Sequence, residues 1–268
     1  MVPFNFPDFD PVAFSLGPID VHWYALAFIA GLLIGWRYCI WLAGRKPHLL
    51  TPRDADEFLL WATFGVILGG RLGYVMLYHP DYYLSHPIAI LQIWAGGMSF
   101  HGGLVGVLVA AVIFERRRGL HAFVVADIVS AAAPFGLVLG RIANFVNGEL
   151  WGRVTDVPWA VIFPHAGPEP RHPSQLYEAA LEGILLAIVI SILVHFFSTR
   201  RRPGLTSGVF LIGYALVRIL IETMREPDRH LGLLNFGTTW GQWLSVPMLI
   251  AGVWLILRAL KRESVGNT

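Results

Sequence analysis

QLYEAALEGILLAIVISILVHFFSTRRR, residues 175–202, decides the class of fold. Between Ala179 and Phe197 the only acidic or basic side chain besides histidine is Glu182. A helix needs about 20 mostly apolar residues to cross the hydrocarbon core of a bilayer, and this stretch supplies them. It opens on Gln175, Glu178 and Glu182, whose spacing puts them on one helical face. It ends on Arg200, Arg201 and Arg202, the basic flank that marks the cytoplasmic end of a span.

Six further stretches have the same character: roughly 21–43, 57–78, 97–115, 121–146, 205–224 and 240–260. Backbone polar groups in lipid must be satisfied internally, so these are predicted to be helices. By hydropathy alone the fourth and sixth of the seven rank lower, because they carry charges. Residues 86–95 are apolar but short, which predicts an interfacial helix. The whole chain agrees: of 268 residues 55% are hydrophobic and 14% charged, against about 25% charged in soluble domains. The expected fold is an all-α integral membrane bundle of seven transmembrane helices. There is no low-complexity tract and no clear internal repeat. The single cysteine, Cys39, excludes an internal disulfide and reads as a small buried hydrophobe. No Lys or Arg precedes Arg37, and Pro3, Pro7, Pro11 and Pro18 interrupt the start, so a cleaved signal peptide is not expected.

Basic residues set the orientation. Arg45, Lys46 and Arg53 follow the first span, Arg116 to Arg118 the third, Arg200 to Arg202 the fifth, and Arg258, Lys261 and Arg262 the last. The alternate connections hold only Arg153, Arg171, Arg225 and Arg229. Twelve against four, alternating loop by loop, places the N-terminus outside and the C-terminus in the cytoplasm. The expected organisation is an extracytoplasmic arm (1–20), a membrane domain (21–260) with an extracytoplasmic cap (147–173), and a cytoplasmic tail (261–268). Within the cap, Val157 to Phe163 forms a strand or dips into the interface.

A charge at the bilayer centre costs about 2.5–3.5 kcal/mol on insertion scales, so such residues are paired or functional. With that orientation, Arg71, His101, Arg141, Asn144, Gln175, Glu178, Glu182, Arg218 and Glu222 all lie toward the outer ends of their spans. Asn147 and Glu149 follow in the cap. Arg141 and Asn144 share a face, as do Tyr214, Arg218 and Glu222. If these stripes face inward they form a polar pocket beneath the outer surface. Simpler roles exist for each: Arg218 and Glu222 as a structural pair, Arg71 reaching to the interface, Glu178 and Glu182 neutralising arginines, His101 as a satisfied polar residue. Clustering at one depth weighs against them. Asp127 lies apart, near the inner face, as a cap or anchor.

Excess arginine in a dry pocket favours an anion, since the guanidinium fork matches phosphate. In a membrane the nearest phosphate belongs to a phospholipid. Glycines around His101 and Arg141 permit close approach of helices or of a headgroup. No GxSxG, HExxH, CxxC or P-loop occurs, so no metal, nucleotide or other cofactor is expected, and nothing points to nucleic acid. Two other classes use the same residues: a transporter or channel for an anionic solute, and an intramembrane hydrolase built on Ser99 and His101. A structural scaffold would not need arginines buried at one depth.

The string GRIANFVNGELWGR, residues 140–153, resembles the signature of the prolipoprotein diacylglyceryl transferases. So do Ser99 to Gly103, the run HPSQLYE at 172–178, and the stretch from Arg218 through Glu222 to Asp228. The resemblance covers nearly the whole chain in order. It implies transfer of the sn-1,2-diacylglyceryl group of phosphatidylglycerol to the lipobox cysteine of a prolipoprotein signal peptide, with release of glycerol 1-phosphate. It implies a multi-pass protein of the bacterial inner membrane, and a monomer is expected. On this reading His101 takes the thiol proton, Arg141 and Arg218 hold the phosphate, and Glu222 orients Arg218. Asn144, Asn147 and Glu149 contact the glycerol head, Tyr24 borders the site, and Gly152 keeps a cap turn tight. Arg71 and Tyr214 complete the substrate-binding set.

Overall fold

A computed structural model describes residues 3–7, 9–197, 199–227, 232, 234 and 237–265. Helices stand at all seven expected stretches: α1 (Trp23–Ala43), α2 (Pro52–Tyr78), α4 (Phe100–Arg118), α5 (Val124–Val146), a continuous rod built of α6 (Ser174–Glu178), a π-helical segment (Ala179–Leu185) and α7 (Leu186–Phe196), then α8 (Leu205–Ile221) and α9 (Trp240–Lys261). Five of these rods are long and apolar enough to cross a membrane: α1, α2, α5, the Ser174–Phe196 rod and α9. α8 is apolar but has 17 residues. α4 carries Glu115 and Arg116 to Arg118 in its last turn, which shortens its apolar length. The third and sixth helices are therefore the weaker ones. The fourth, α5, ranks with the strong ones, because Asp127 and Arg141 are its only charges. Residues 86–95 form two 3₁₀ turns, Pro87–Leu91 and Ile93–Ala95, after the short helix α3 (Pro80–Ser85).

The all-α expectation needs one amendment. β1 (Phe4–Asn5) pairs in parallel with β4 (Val161–Ile162), and β2 (Val12–Leu16) pairs antiparallel with β3 (Ile19–His22) through a turn at Gly17. The Val157–Phe163 run thus ends in a strand.

The chain forms two compact units. One is Cys39–Ala126. Its α2 begins with Thr51, whose hydroxyl accepts from Asp54 N at 3.1 Å, while the Asp54 carboxylate accepts from Thr51 N at 3.2 Å. This capping box satisfies two helix-end donors at once. α2 and α4 cross on bare glycine faces. A Cβ at Gly73 would lie 2.7 Å from Gly102 Cα, one at Gly65 would lie 2.7 Å from Gly106 O, and one at Gly106 would meet Gly65 O. Such contact is the small-residue packing of membrane helices. Beyond the crossing, Glu115 accepts from Phe123 N at 3.1 Å and from Val125 N at 2.9 Å, covering amides at the start of α5.

The other unit holds the residues up to Tyr38 and those from Asp127 onward. Asp127 is buried and accepts from Gly204 N (2.8 Å), Ser207 N (2.8 Å) and Ser207 Oγ (2.7 Å). It caps α8 from a different helix, which is the capping role expected of it. α8 and α9 meet at Gly208 and Gly252, each lacking room for a Cβ. Phe6 packs on Phe145 and Phe163 at centroid distances of 5.5 and 5.4 Å, so the N-terminal arm, the cap and the end of α5 share one end of this unit.

Candidate active site

The π segment governs the site. A π turn widens the backbone helix and recurs at functional positions. Here it follows Glu178 and contains Glu182, and both carboxylates have 0% exposure. Gly183 lets the rod approach α5, since a Cβ there would sit 3.1 Å from Val138 Cα. Three residues along α5, Arg141 meets the two acids. Its Nη1 lies 3.0 Å from Glu178 Oε2, and its Nη2 and Nε donate to Glu182 Oε2 at 2.9 and 3.2 Å. From α8, Arg218 Nη1 donates to Glu178 Oε1 at 2.7 Å and its Nη2 lies 2.5 Å from Glu222 Oε1. Arg225 Nη1 donates to the same Glu178 oxygen at 3.0 Å. One carboxylate therefore ties together three guanidiniums carried by three chain segments.

The site is balanced, not rich in arginine as expected. Among the described residues, Arg141, Arg218 and Arg225 face Glu178, Glu182 and Glu222, three charges of each sign. Buried like charges would repel and remain poorly solvated, so the acids are what allow the arginines to gather. The two signs differ in access. The acids are sealed, whereas the Arg141 and Arg218 side chains keep 15% and 17% exposure. Arg141 donates two hydrogen bonds, both to Glu182, with Nη1 near Glu178 as an ion pair, and Arg218 turns one nitrogen to each of Glu178 and Glu222; with five N–H groups apiece, both retain donors for a ligand.

The structure places the other expected residues of this unit as follows. Tyr214, one turn before Arg218, interacts electrostatically with Arg141, Arg218, Glu178 and Glu182. Asn144 Nδ2 donates to Glu149 Oε1 at 2.7 Å, and Asn147 Nδ2 reaches the same oxygen at 3.5 Å, leaving Asn147 Oδ1 buried without a partner. Gln175 Nε2 donates to Glu149 O at 2.5 Å and Ser174 Oγ to Leu150 O at 2.9 Å, which fastens the rod to the cap. Tyr24, in the first turn of α1, is 43% exposed.

Gly152 has a different reason from the one expected. It lies in extended chain bridged to Arg225, and a Cβ would come within 2.6–2.7 Å of His172 Cβ, His172 O and Met224 O. Close approach of two backbones excludes a side chain there; no tight turn is involved. Beside it, burial holds the His172 pKa below its usual value, and its Nδ1 lies 3.2 Å from the Tyr177 hydroxyl, which also accepts from Trp159 Nε1 at 2.6 Å.

Arg71 and His101 belong to the Cys39–Ala126 unit. Arg71 is buried, and its donors go to backbone carbonyls: Ile90 at 2.9 Å, Ala89 at 2.6 Å, Gly96 at 2.5 Å and Gly97 at 3.2 Å. This is an anchor for the 86–97 loop, with four of five N–H groups occupied. With its side chain buried, Arg71 is committed chiefly to this loop. His101 is exposed in the first turn of α4, against Phe100. Ser99 is the N-cap of α4, its hydroxyl accepting from Gly102 N at 3.2 Å. A capping role accounts for a serine at position 99.

Sequence reasoning passed over Arg225 as a loop charge; for Glu178 and Glu182 it offered the neutralising of arginines as the simpler role, and the ion pairs show them paired in that way. A signal for Arg225 existed, since 218, 222 and 225 continue one helical stripe. Asp228 and Arg229 lie outside the described residues.

The family model for prolipoprotein diacylglyceryl transferase matches residues 11–258. The chain belongs to this family. Curated proteins named phosphatidylglycerol–prolipoprotein diacylglyceryl transferase are similar to it over nearly full length. That of Rhodospirillum centenum is 57% identical over 257 residues, covering 95% of this chain and 93% of the relative. That of Azospirillum brasilense is 54% identical over 266 residues, covering 98% and 99%. That of Rhizobium leguminosarum is 51% identical over 271 residues, covering 97% and 95%.

Proposed function

We propose that the protein transfers the sn-1,2-diacylglyceryl group of phosphatidylglycerol to the lipobox cysteine of prolipoproteins, the first step of bacterial lipoprotein maturation. The observation that carries this reading is the meeting of Arg141 and Arg218 on Glu178, with free N–H groups on both arginines, in a chain of this family. A free thiol has a pKa of about 8.5 and reacts as thiolate. In the reaction the thiol loses its proton to a base, and the sulfur attacks the glyceryl carbon. The carbon–oxygen bond to phosphate breaks with its electron pair on oxygen, releasing glycerol 1-phosphate and leaving a thioether. Arg141 and Arg218 hold the phosphate and offset the charge growing on the leaving oxygen. Glu222 and Glu178 fix the plane of Arg218. His101, exposed near a helix start, is the proposed base. Asn144, Asn147 and Glu149 contact the glycerol head, with Tyr24 and Tyr214 bordering it. An apolar groove of about 250 Å³ runs from Leu181 and Val217, the neighbours of Glu182 and Arg218, down to Val189 and Val209. It offers a seat for an acyl chain.

The proposed setting is the bacterial inner membrane: seven spans, the N-terminus and cap outside, the site near the outer face, and a working monomer. The basic loops support this, as does the pairing of the N-terminal arm with the cap, which puts both at one end of their unit.

The test is a purified assay with phosphatidylglycerol and a lipobox peptide, following lipidated peptide by mass and glycerol 1-phosphate by release. Arg218→Ala should abolish transfer while the protein still inserts. Wild-type turnover in that variant would remove the phosphate anchor from the reading, and a fully active His101→Gln would make His101 positional.

A further inference from the structure

We infer that binding of the anionic lipid is coupled to uptake of one proton by Glu182. The inference rests on the proposed reading, in which Arg141 and Arg218 receive a phosphate. Among the described residues the cluster holds three positive and three negative groups before ligand arrives, with Glu178 and Glu182 sealed from water. A phosphodiester brings one further negative charge. An uncompensated charge in a site of low polarity is costly, and the usual response is a change of protonation.

Geometry selects the group that takes the proton. Glu178 is held by three arginines, at 2.7, 3.0 and 3.0 Å. Glu222 is bound by Arg218 at 2.5 Å and keeps slight exposure. Glu182 has one close partner, Arg141, which binds a single oxygen, Oε2. Its other oxygen, Oε1, is buried with no hydrogen bond; Glu178 Oε2 also lacks one, but has Arg141 Nη1 at 3.0 Å, whereas the next guanidinium nitrogen to Glu182 Oε1, Arg218 Nη1, is 4.0 Å away. The groups facing it are Arg141 from α5, Arg218 and Tyr214 from α8, and Glu178 on its own rod. Glu182 is thus the least stabilised carboxylate of the three, with an open oxygen for the proton. When a phosphate also claims Arg141, its anionic form loses most of what supports it.

Linkage fixes the sign. A group whose proton affinity rises on ligation makes binding tighter at low pH, so the dissociation constant increases by up to about tenfold per pH unit above the free-state pKa. Replacing Glu182 by neutral glutamine leaves a site of net positive charge that needs no proton.

The experiment is equilibrium dialysis of radiolabelled dioctanoyl phosphatidylglycerol against the full chain in nonionic detergent, without peptide, from pH 6 to 9. Calorimetry in two buffers of different ionisation enthalpy counts protons in parallel. Expected are a dissociation constant rising with pH and uptake approaching one proton for the wild type and for Glu182→Asp. For Glu182→Gln the expectation is a flat profile, no uptake, and affinity at pH 8 about tenfold tighter than wild type. Wild-type binding that does not change with pH overturns the inference, as does a Glu182→Gln profile that keeps the wild-type slope or shows weaker binding throughout. Saturable, pH-independent binding with normal transfer sinks this inference alone; absence of both binding and transfer in the wild type sinks the proposed function as well.

Discussion

A single carboxylate organises the arginine cluster of this protein. Glu178 touches Arg141, Arg218 and Arg225 and is itself fully buried. Breaking a buried pair by removing one partner typically costs about 3–5 kcal/mol, because the other charge stays buried. Glu178→Gln should lower thermal stability in detergent on that scale and reduce transfer at least tenfold, both readable on one purified preparation. Arg218→Lys tests geometry at constant charge. Arg218 uses two nitrogens of its fork to reach Glu178 and Glu222 at once, which a point-like ammonium does not reproduce. Turnover should fall at least tenfold with little loss of folded protein; an equally active lysine variant would mean that charge alone suffices. At this scale the sequence was partly legible. The stripe of Tyr214, Arg218 and Glu222 follows from helical spacing. The convergence of Arg141 on Glu182, 41 residues away in sequence, does not, because it depends on how close Gly183 lets two helices come. Arg71 shows the converse: its depth was readable, while its commitment to four loop carbonyls was not.

Among elements, closeness of approach and capping across helices dominate. The α2–α4 crossing puts backbone against backbone at Gly65, Gly69, Gly73, Gly102 and Gly106. Gly106→Leu must push these helices apart. It should cost about 1–3 kcal/mol of stability, as overpacking does, seen as a lowered unfolding temperature. Asp127 and Glu115 each cap a helix other than their own. Asp127→Ala strips partners from Gly204 N, Ser207 N and Ser207 Oγ together, and should cost about 2 kcal/mol, the upper range for a lost N-cap. Wild-type thermal stability in that variant would mean that water replaces the carboxylate. The helices themselves were foreseen from apolar length. The π segment was not, since nothing in the run AALEGIL distinguishes a widened turn from an ordinary one.

For the whole molecule, the claim still to be checked is topology. Five rods are long and apolar enough to span, and the proposal adds α4 and α8. With Cys39 replaced by serine, a single cysteine at Asn5 should react with an impermeant thiol reagent from the extracytoplasmic side, and one at Arg262 only after access to the cytoplasm. Labelling of both from one side would require an even number of spans. The basic loops are the physical basis of the expectation, because translocating a cluster such as Arg200 to Arg202 across the bilayer opposes the positive-inside bias.

Composition, apolar run lengths and the alternation of basic loops are local properties of the chain, and they determined by themselves that this is a helical membrane protein with its unusual charges toward one end of the spans. Ordered motifs did the same for the family. Only tertiary structure decided which charges meet. It turned an expected surplus of arginine into a neutral cluster, gave Arg71 to a loop, and made Gly152 a place of backbone contact. The reason is that hydropathy acts on each segment separately, whereas ion pairing in a dry interior depends on ångström-scale distances between segments far apart in sequence, set by where glycines let helices touch.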